Sequence, residues 1–253
     1  MAEEMSIESY LAAGGILSNP ANVPPRYRAE LMKLMATFVD SELAGAAGFA
    51  DIINDAPGLK ERIAAARIVL EKTDHAERVL KVMGDFGADT ARYASHHPWT
   101  ARLPRDADIG ATRSEHDMRL AVFNYPLEGW ADAVVMNLLM GRAVVVQLAE
   151  LAMVSYRPLA EAFRAIAPRE AHHAELAGEG LAKLAGDPAQ REALQASVGY
   201  WWPRVAASFG AAEAGKFQAL KAMGLRRSTG EELRTRWEAE AKAVLEGLQL
   251  RAG

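Results

Sequence analysis

The chain has 253 residues, of which 50% are hydrophobic and 25% charged, with a net charge of −4 and no cysteine. This composition suits a folded chain with one substantial core, and it excludes disulfides, thiolate ligands and cysteine nucleophiles. Site chemistry must come from carboxylate, imidazole, amine or hydroxyl groups, and nothing in the charge favours nucleic acid.

Residues 1–24 read as a peripheral arm. "NVPP" then introduces a first long helix over about 27–55, where Leu31, Leu34, Met35, Phe38, Val39, Leu43, Ala46, Ala47 and Phe49 recur at steps of three and four. "DAPG" at 55–58 breaks it, and a second helix is predicted over about 59–86. Its stripe is read as Ile63, Ala66, Val69, Leu70, Thr73, Ala76, Leu80 and Met83, with Gly84 and Gly87 marking the end. Residues 88–127 are interrupted by "HHPW", "RLPRDADIG" and "NYPLEGW", which predicts an irregular crossover with a short helix near Glu115 to Phe123. A third helix, about 130–153, is apolar on nearly every face, and a fourth runs over about 156–185. The segment from about 188 to 250 adds two or more helices.

No strand-like alternation of useful length occurs, so the expected fold class is all-α. Two helical hairpins separated by one long crossover are the connectivity of a ferritin-like four-helix bundle. The expected organisation is a single domain, 1–253, with its core in 27–185 and a helical extension behind it. No run of 18 uncharged apolar residues argues for a membrane span, and the N-terminus lacks the pattern of a secretory leader. A cytoplasmic location is the default expectation.

Bundles of this kind can hold two metal ions when one helix of each hairpin supplies a carboxylate and the other supplies Glu-x-x-His. An i, i+3 spacing aims both side chains at one point. Glu42 lies on the small-residue side of the first helix, and His75 stands alone in the second. Glu170 and His173 form a proper Glu-x-x-His in the fourth, although "EAHHAE" leaves open whether His172 or His173 faces inward.

"FVDSELAGAAG", "FNYPLEGWAD", "SYRPLAEAF", "IAPREAHHAE" and "YWWPRVAASFG" stand in an order and spacing that resemble the catalytic-subunit family of the bacterial phenylacetyl-CoA epoxidases, over about residues 25–240. That family is ferritin-like and serves phenylacetic acid catabolism. The resemblance implies that Glu42, His75, Glu170 and His173 match four of six di-iron ligands. It also implies two departures, because Lys72 stands at the position of a glutamate and Gly141 at that of a carboxylate. Glu71, four residues before His75 and about 40° from it around the helix, is within a small rotation of the interior. Asp132 and Glu150 each lie nine residues from Gly141, about 180° away, and cannot replace it. Asn137 is on the correct side but neutral.

A buried ammonium between Glu42 and Glu170 would take the electrostatic place of a cation, at about 4 kcal/mol per pairing before desolvation. The expectation is therefore a metal-free remnant cluster of Glu42, Lys72, His75, Gly141, Glu170 and His173, with Lys72 bonded to Glu42 or Glu170. The resemblance then implies a structural subunit that works as a homo-oligomer or beside a related ferritin-like subunit. The alternative is an active di-iron or mononuclear-metal oxygenase, with iron as its cofactor, acting on an aryl-CoA thioester. A third reading keeps only an aryl-CoA ester pocket, with Arg26, Arg102, Arg105 and Arg226 as candidate phosphate contacts.

Overall fold

A computed structural model describes residues 6–108, 117–210 and 214–252. Among the described residues the chain is all-α. Its only extended pairing there is an isolated bridge between Leu17 and Tyr156. The N-terminal arm contains a short helix, α1 (Ile7–Ala12), and it is anchored by Leu17 and Val23, both buried.

Two long antiparallel hairpins form the bundle. Helix α2 (Pro25–Ile52) starts on Pro25, whose missing N–H costs nothing in the first turn, and packs along α3 (Leu59–Asp85). Gly87, two residues past the end of α3, adopts φ +84°, the left-handed conformation that ends a helix without a Cβ penalty. Between the hairpins lies the crossover, whose first part forms the short helix α4 (Thr90–His96). That helix was not expected. The helix predicted near Glu115 to Phe123 falls partly outside the described residues, and its described part holds only a 3-10 turn at Ala121–Asn124. The second hairpin is α5 (Gly129–Leu151) against α6 (Arg157–Ala185).

Helix α5 is apolar enough by length and composition to cross a membrane, yet most of it is buried. It packs against α6 and against α7 (Arg191–Ala206) and α9 (Gly230–Gly247), with α8 (Ala214–Ala222) between the latter two in sequence. Trp201 and Trp237 are fully buried in the cluster that α5, α6, α7 and α9 build together. Thr229 and Glu232 form a capping box at the start of α9.

Two of the quoted stretches, "FNYPLEGWAD" and "YWWPRVAASFG", meet each other here. Asp132 of "WAD", buried on α5, accepts hydrogen bonds from Trp201 Nε1 (2.8 Å), Ser197 Oγ (2.8 Å) and Glu128 N (3.0 Å), and forms an ion pair with Arg105 (2.7 Å). Trp130 stacks on Phe49 of α2. Both motifs are therefore packing devices that lock α7 and the end of the crossover onto α5.

One expected face is reversed in part. On α3 the buried side is Ala65, Ile68, Lys72, His75, Ala76, Val79, Leu80, Val82 and Met83, whereas Leu59, Ile63 and Leu70 are 74%, 51% and 68% exposed. Ala66 and Thr73 are exposed as well. The helix has two apolar stripes in its first half, and periodicity alone does not say which one finds a partner.

Candidate functional site

Glu42, Lys72, His75, Glu170 and His173 converge inside the bundle, all buried. Glu42 comes from α2, Lys72 and His75 from one face of α3, and Glu170 and His173 from one face of α6. The i, i+3 pairs on α3 and α6 thus meet across the bundle as the spacing requires. His173 is the inward residue of "EAHHAE". The neighbouring His172 is 48% exposed and pairs with Glu175.

Lys72 occupies the centre. Its Nζ lies 3.2 Å from Glu42 Oε1, 3.1 Å from Glu170 Oε1 and 3.0 Å from Glu170 Oε2. His75 Nδ1 lies 2.9 Å from Glu170 Oε1 and 3.5 Å from Glu42 Oε2. The expected contact of Lys72 with either carboxylate is therefore made with both.

The charges of this group support one another. Burial works against the Lys72 ammonium, but the charges of Glu170 and Glu42 and their hydrogen bonds outweigh it and hold its pKa above the ordinary value. Burial would likewise depress His75, yet its hydrogen bonds to Glu170 and Glu42 push it up to about 9. Burial raises the carboxyl of Glu170, and the Lys72 charge with hydrogen bonds from His173 and His75 holds it well below its usual range. Two cations thus face two carboxylates with little water to screen them.

Glu71, the acid four residues before His75, joins the rim of the cluster. Its Oε2 lies 2.7 Å from His173 Nε2, and its Oε1 lies 3.3 Å from Arg169 at the surface. Asp132 and Glu150 are elsewhere, as the helical wheel requires. Asp132 serves the tryptophan network, and Glu150 binds the backbone N–H of Ser228 at 2.7 Å. Asn137 turns its amide to the carbonyl of Ala133 (2.8 Å).

Gly141 has a reason that sequence could not supply. A Cβ there would lie 3.2 Å from Ala174 Cβ and 3.3 Å from Ala174 Cα, so α5 and α6 touch at this point through backbone. Any carboxylate at 141 requires the two helices to separate.

A cleft of about 330 Å³ reaches the cluster along α2 and α5. Glu42, Phe38, Met140 and Val144 line its inner part, and Lys33, Lys216 and Arg226 lie along it as well. The candidate phosphate contacts are corrected in two places. Arg102 is committed internally, to the carbonyls of Ala44 (2.8 Å) and Trp99 (2.6 Å), and Arg105 is committed to Asp132. Arg226 lines that cleft, and Arg26 lines an adjoining hollow of about 300 Å³ that shares Glu30, Lys216 and Leu220 with it.

Sequence reasoning also missed a second buried cluster, Asp40, His97 and Asp117. Asp40 precedes Glu42 by two residues, but His97 and Asp117 come from the irregular crossover, where no periodicity points inward.

The chain is 26% identical over 242 residues to a protein of Escherichia coli (strain K12) named as one of the subunits of 1,2-phenylacetyl-CoA epoxidase, an alignment covering 94% of this chain and 73% of that one. The family model described as phenylacetic acid catabolic protein matches residues 5–252, and the chain belongs to that family.

Proposed function

We propose that this chain is a component of an epoxidase-type assembly whose Lys72 cluster is metal-free, with a structural role beside a related ferritin-like subunit. The observation that carries the reading is the position of Lys72 Nζ, 3.0–3.2 Å from three oxygens of Glu42 and Glu170. A cation at that point would be repelled by the ammonium and would have to displace it from both carboxylates. The contact at Gly141 works in the same direction, because any side chain there would press its Cβ to 3.2 Å from Ala174 Cβ. The residues present therefore do not fit a di-iron centre.

The exposed stripe on α3 supports the partner role. Leu59, Ile63, Ala66 and Leu70 follow steps of four, three and four, the spacing of a seam between helices. Lys60, Arg62 and Arg67 flank it and are exposed. Two copies meeting through this face would oppose like charges, so a related subunit presenting an acidic amphipathic helix fits better than a homo-oligomer. A cytoplasmic location accords with this role.

A second reading, an active oxygenase acting on an aryl-CoA thioester, is favoured by one observation. The 330 Å³ cleft leads to Glu42, with basic residues along it and apolar ones within. Iron and manganese analysis after aerobic and anaerobic loading separates the two. The metal-free reading expects no iron at the Glu42–His75–Glu170 cluster. Two equivalents of iron, abolished by Glu170→Gln and accompanied by substrate-dependent oxygen uptake, would overturn it.

A further inference from the structure

The Asp40, His97 and Asp117 cluster lies outside the site just described. Asp40 comes from α2, His97 caps the end of α4, and Asp117 begins the next described stretch of the crossover. All three are buried, and the His97 side chain is 2% exposed. His97 Nε2 lies 3.2 Å from Asp40 Oδ2 and 3.3 Å from Asp117 Oδ1. Despite these distances, neither ring nitrogen of His97 makes a hydrogen bond. An imidazolium held by two carboxylates would direct an N–H along one of them.

The remaining positions on both carboxylates are arranged as supports. Asp40 Oδ1 accepts from Tyr93 O–H, and its Oδ2 accepts from Met118 N at 2.6 Å. Asp117 Oδ2 pairs with Arg119 Nε at 2.7 Å, and its Oδ1 accepts from Arg119 N at 3.0 Å. Each carboxylate is thus fixed in place, and the oxygen of each that stands close to the imidazole also accepts one backbone N–H, as ligating carboxylates around a metal are themselves hydrogen-bonded.

We propose that Asp40 Oδ2, His97 Nε2 and Asp117 Oδ1 form a site for one divalent transition-metal ion, with zinc as its type. For ligand bonds of about 2.0–2.1 Å in a tetrahedron, ligand atoms stand about 3.3 Å apart. Both separations from Nε2 match that edge, and one ligand atom from each of the three residues lies within 4.8 Å of the others. One imidazole and two carboxylates suit zinc, and a solvent molecule would complete the fourth position. The ion would be structural. It would tie residues 97 and 117, the two sides of a chain excursion, to α2 just before Glu42, and so hold the crossover over the bundle.

The test uses the full chain, freed of metal by a chelator and then titrated with Zn²⁺ by calorimetry, with bound metal counted after gel filtration. One equivalent of zinc is expected, with a rise in thermal midpoint. His97→Gln and Asp117→Asn should each weaken zinc binding by at least about 100-fold. His75→Gln, in the other cluster, should leave it unchanged. Far-UV circular dichroism establishes that each variant is folded, and Co²⁺ in place of Zn²⁺ should give the intense visible bands of a four-coordinate ion. Absence of zinc binding by the parent chain would overturn this site and leave the metal-free reading of the Lys72 cluster intact. Zinc retained in His97→Gln but lost in His75→Gln would overturn both.

Discussion

Replacing Lys72 by methionine tests the central electrostatic reasoning most directly. Methionine keeps most of the volume and removes only the charge and its three hydrogen bonds. With Nζ at 3.0–3.2 Å from oxygens of two carboxylates, each charge pair contributes about 5 kcal/mol at an effective dielectric near 20. Desolvating three buried ions cancels much of that sum, so the net value of the triad as a whole is small. Breaking it is another matter, because Glu42 and Glu170 then share one pocket with only the imidazoles of His75 and His173 beside them. Such breaks cost about 3–5 kcal/mol. Urea denaturation followed by circular dichroism should therefore show Lys72→Met losing that much stability. Adding Glu42→Gln to Lys72→Met should cost less than the sum of the two single changes, with a coupling of about 1–3 kcal/mol. A loss under about 1 kcal/mol for Lys72→Met, or strict additivity of the pair, would refute the claim that the ammonium is locked between the carboxylates.

His75, with its pKa pushed up to about 9 against an ordinary 6.5, should stabilise the fold fully below pH 6.5 and lose that contribution as pH rises through 9, by about 3 kcal/mol in all. Stability measured from pH 6 to 10 should fall along this curve in the parent and be flatter in His75→Gln. Gly141→Ala should cost about 1–3 kcal/mol in thermal or urea unfolding, since its Cβ meets Ala174 at 3.2 Å. Lys72→Glu should raise manganese affinity at least about 10-fold by isothermal titration, because it changes the charge at the centre of the cluster by two units. Adding Gly141→Asp should further lower the thermal midpoint. Asp132→Ala leaves Trp201 Nε1 and Arg105 without their acceptor in a buried setting, and should cost about 3–5 kcal/mol by denaturant titration.

Much of the bundle was legible because its signals are local. Pro25, the "DAPG" break and Gly87 delimit helices through backbone constraints that act within a few residues. The convergence of Lys72 with His75, and of Glu170 with His173, rests on the three-residue step that puts two side chains on one helical face. The family resemblance added the match of Glu42 to these helices, which periodicity alone could not supply.

Other features depend on what each face meets, and no local signal carries that. Periodicity grouped Ile63, Ala66 and Leu70 correctly on one stripe of α3, but packing turned that stripe outward and buried Ala65 and Ile68 instead. Arg102 and Arg105 read as surface cations until folding brought the carbonyls of Ala44 and Trp99, and the carboxylate of Asp132, within reach. Glycine at 141 reads as a lost ligand in sequence, whereas in space it is the point where α5 and α6 approach so closely that an added Cβ would meet Ala174 at 3.2 Å. Asp40, His97 and Asp117 are separated by irregular chain, so only the path of the crossover brings them together. The helices, their breaks and the charge chemistry available to the bundle were set by the order of residues, because these depend on neighbours three or four positions apart. Which stripe is buried and which distant charges are paired was settled only in three dimensions, because burial and Coulomb energy depend on distance in space.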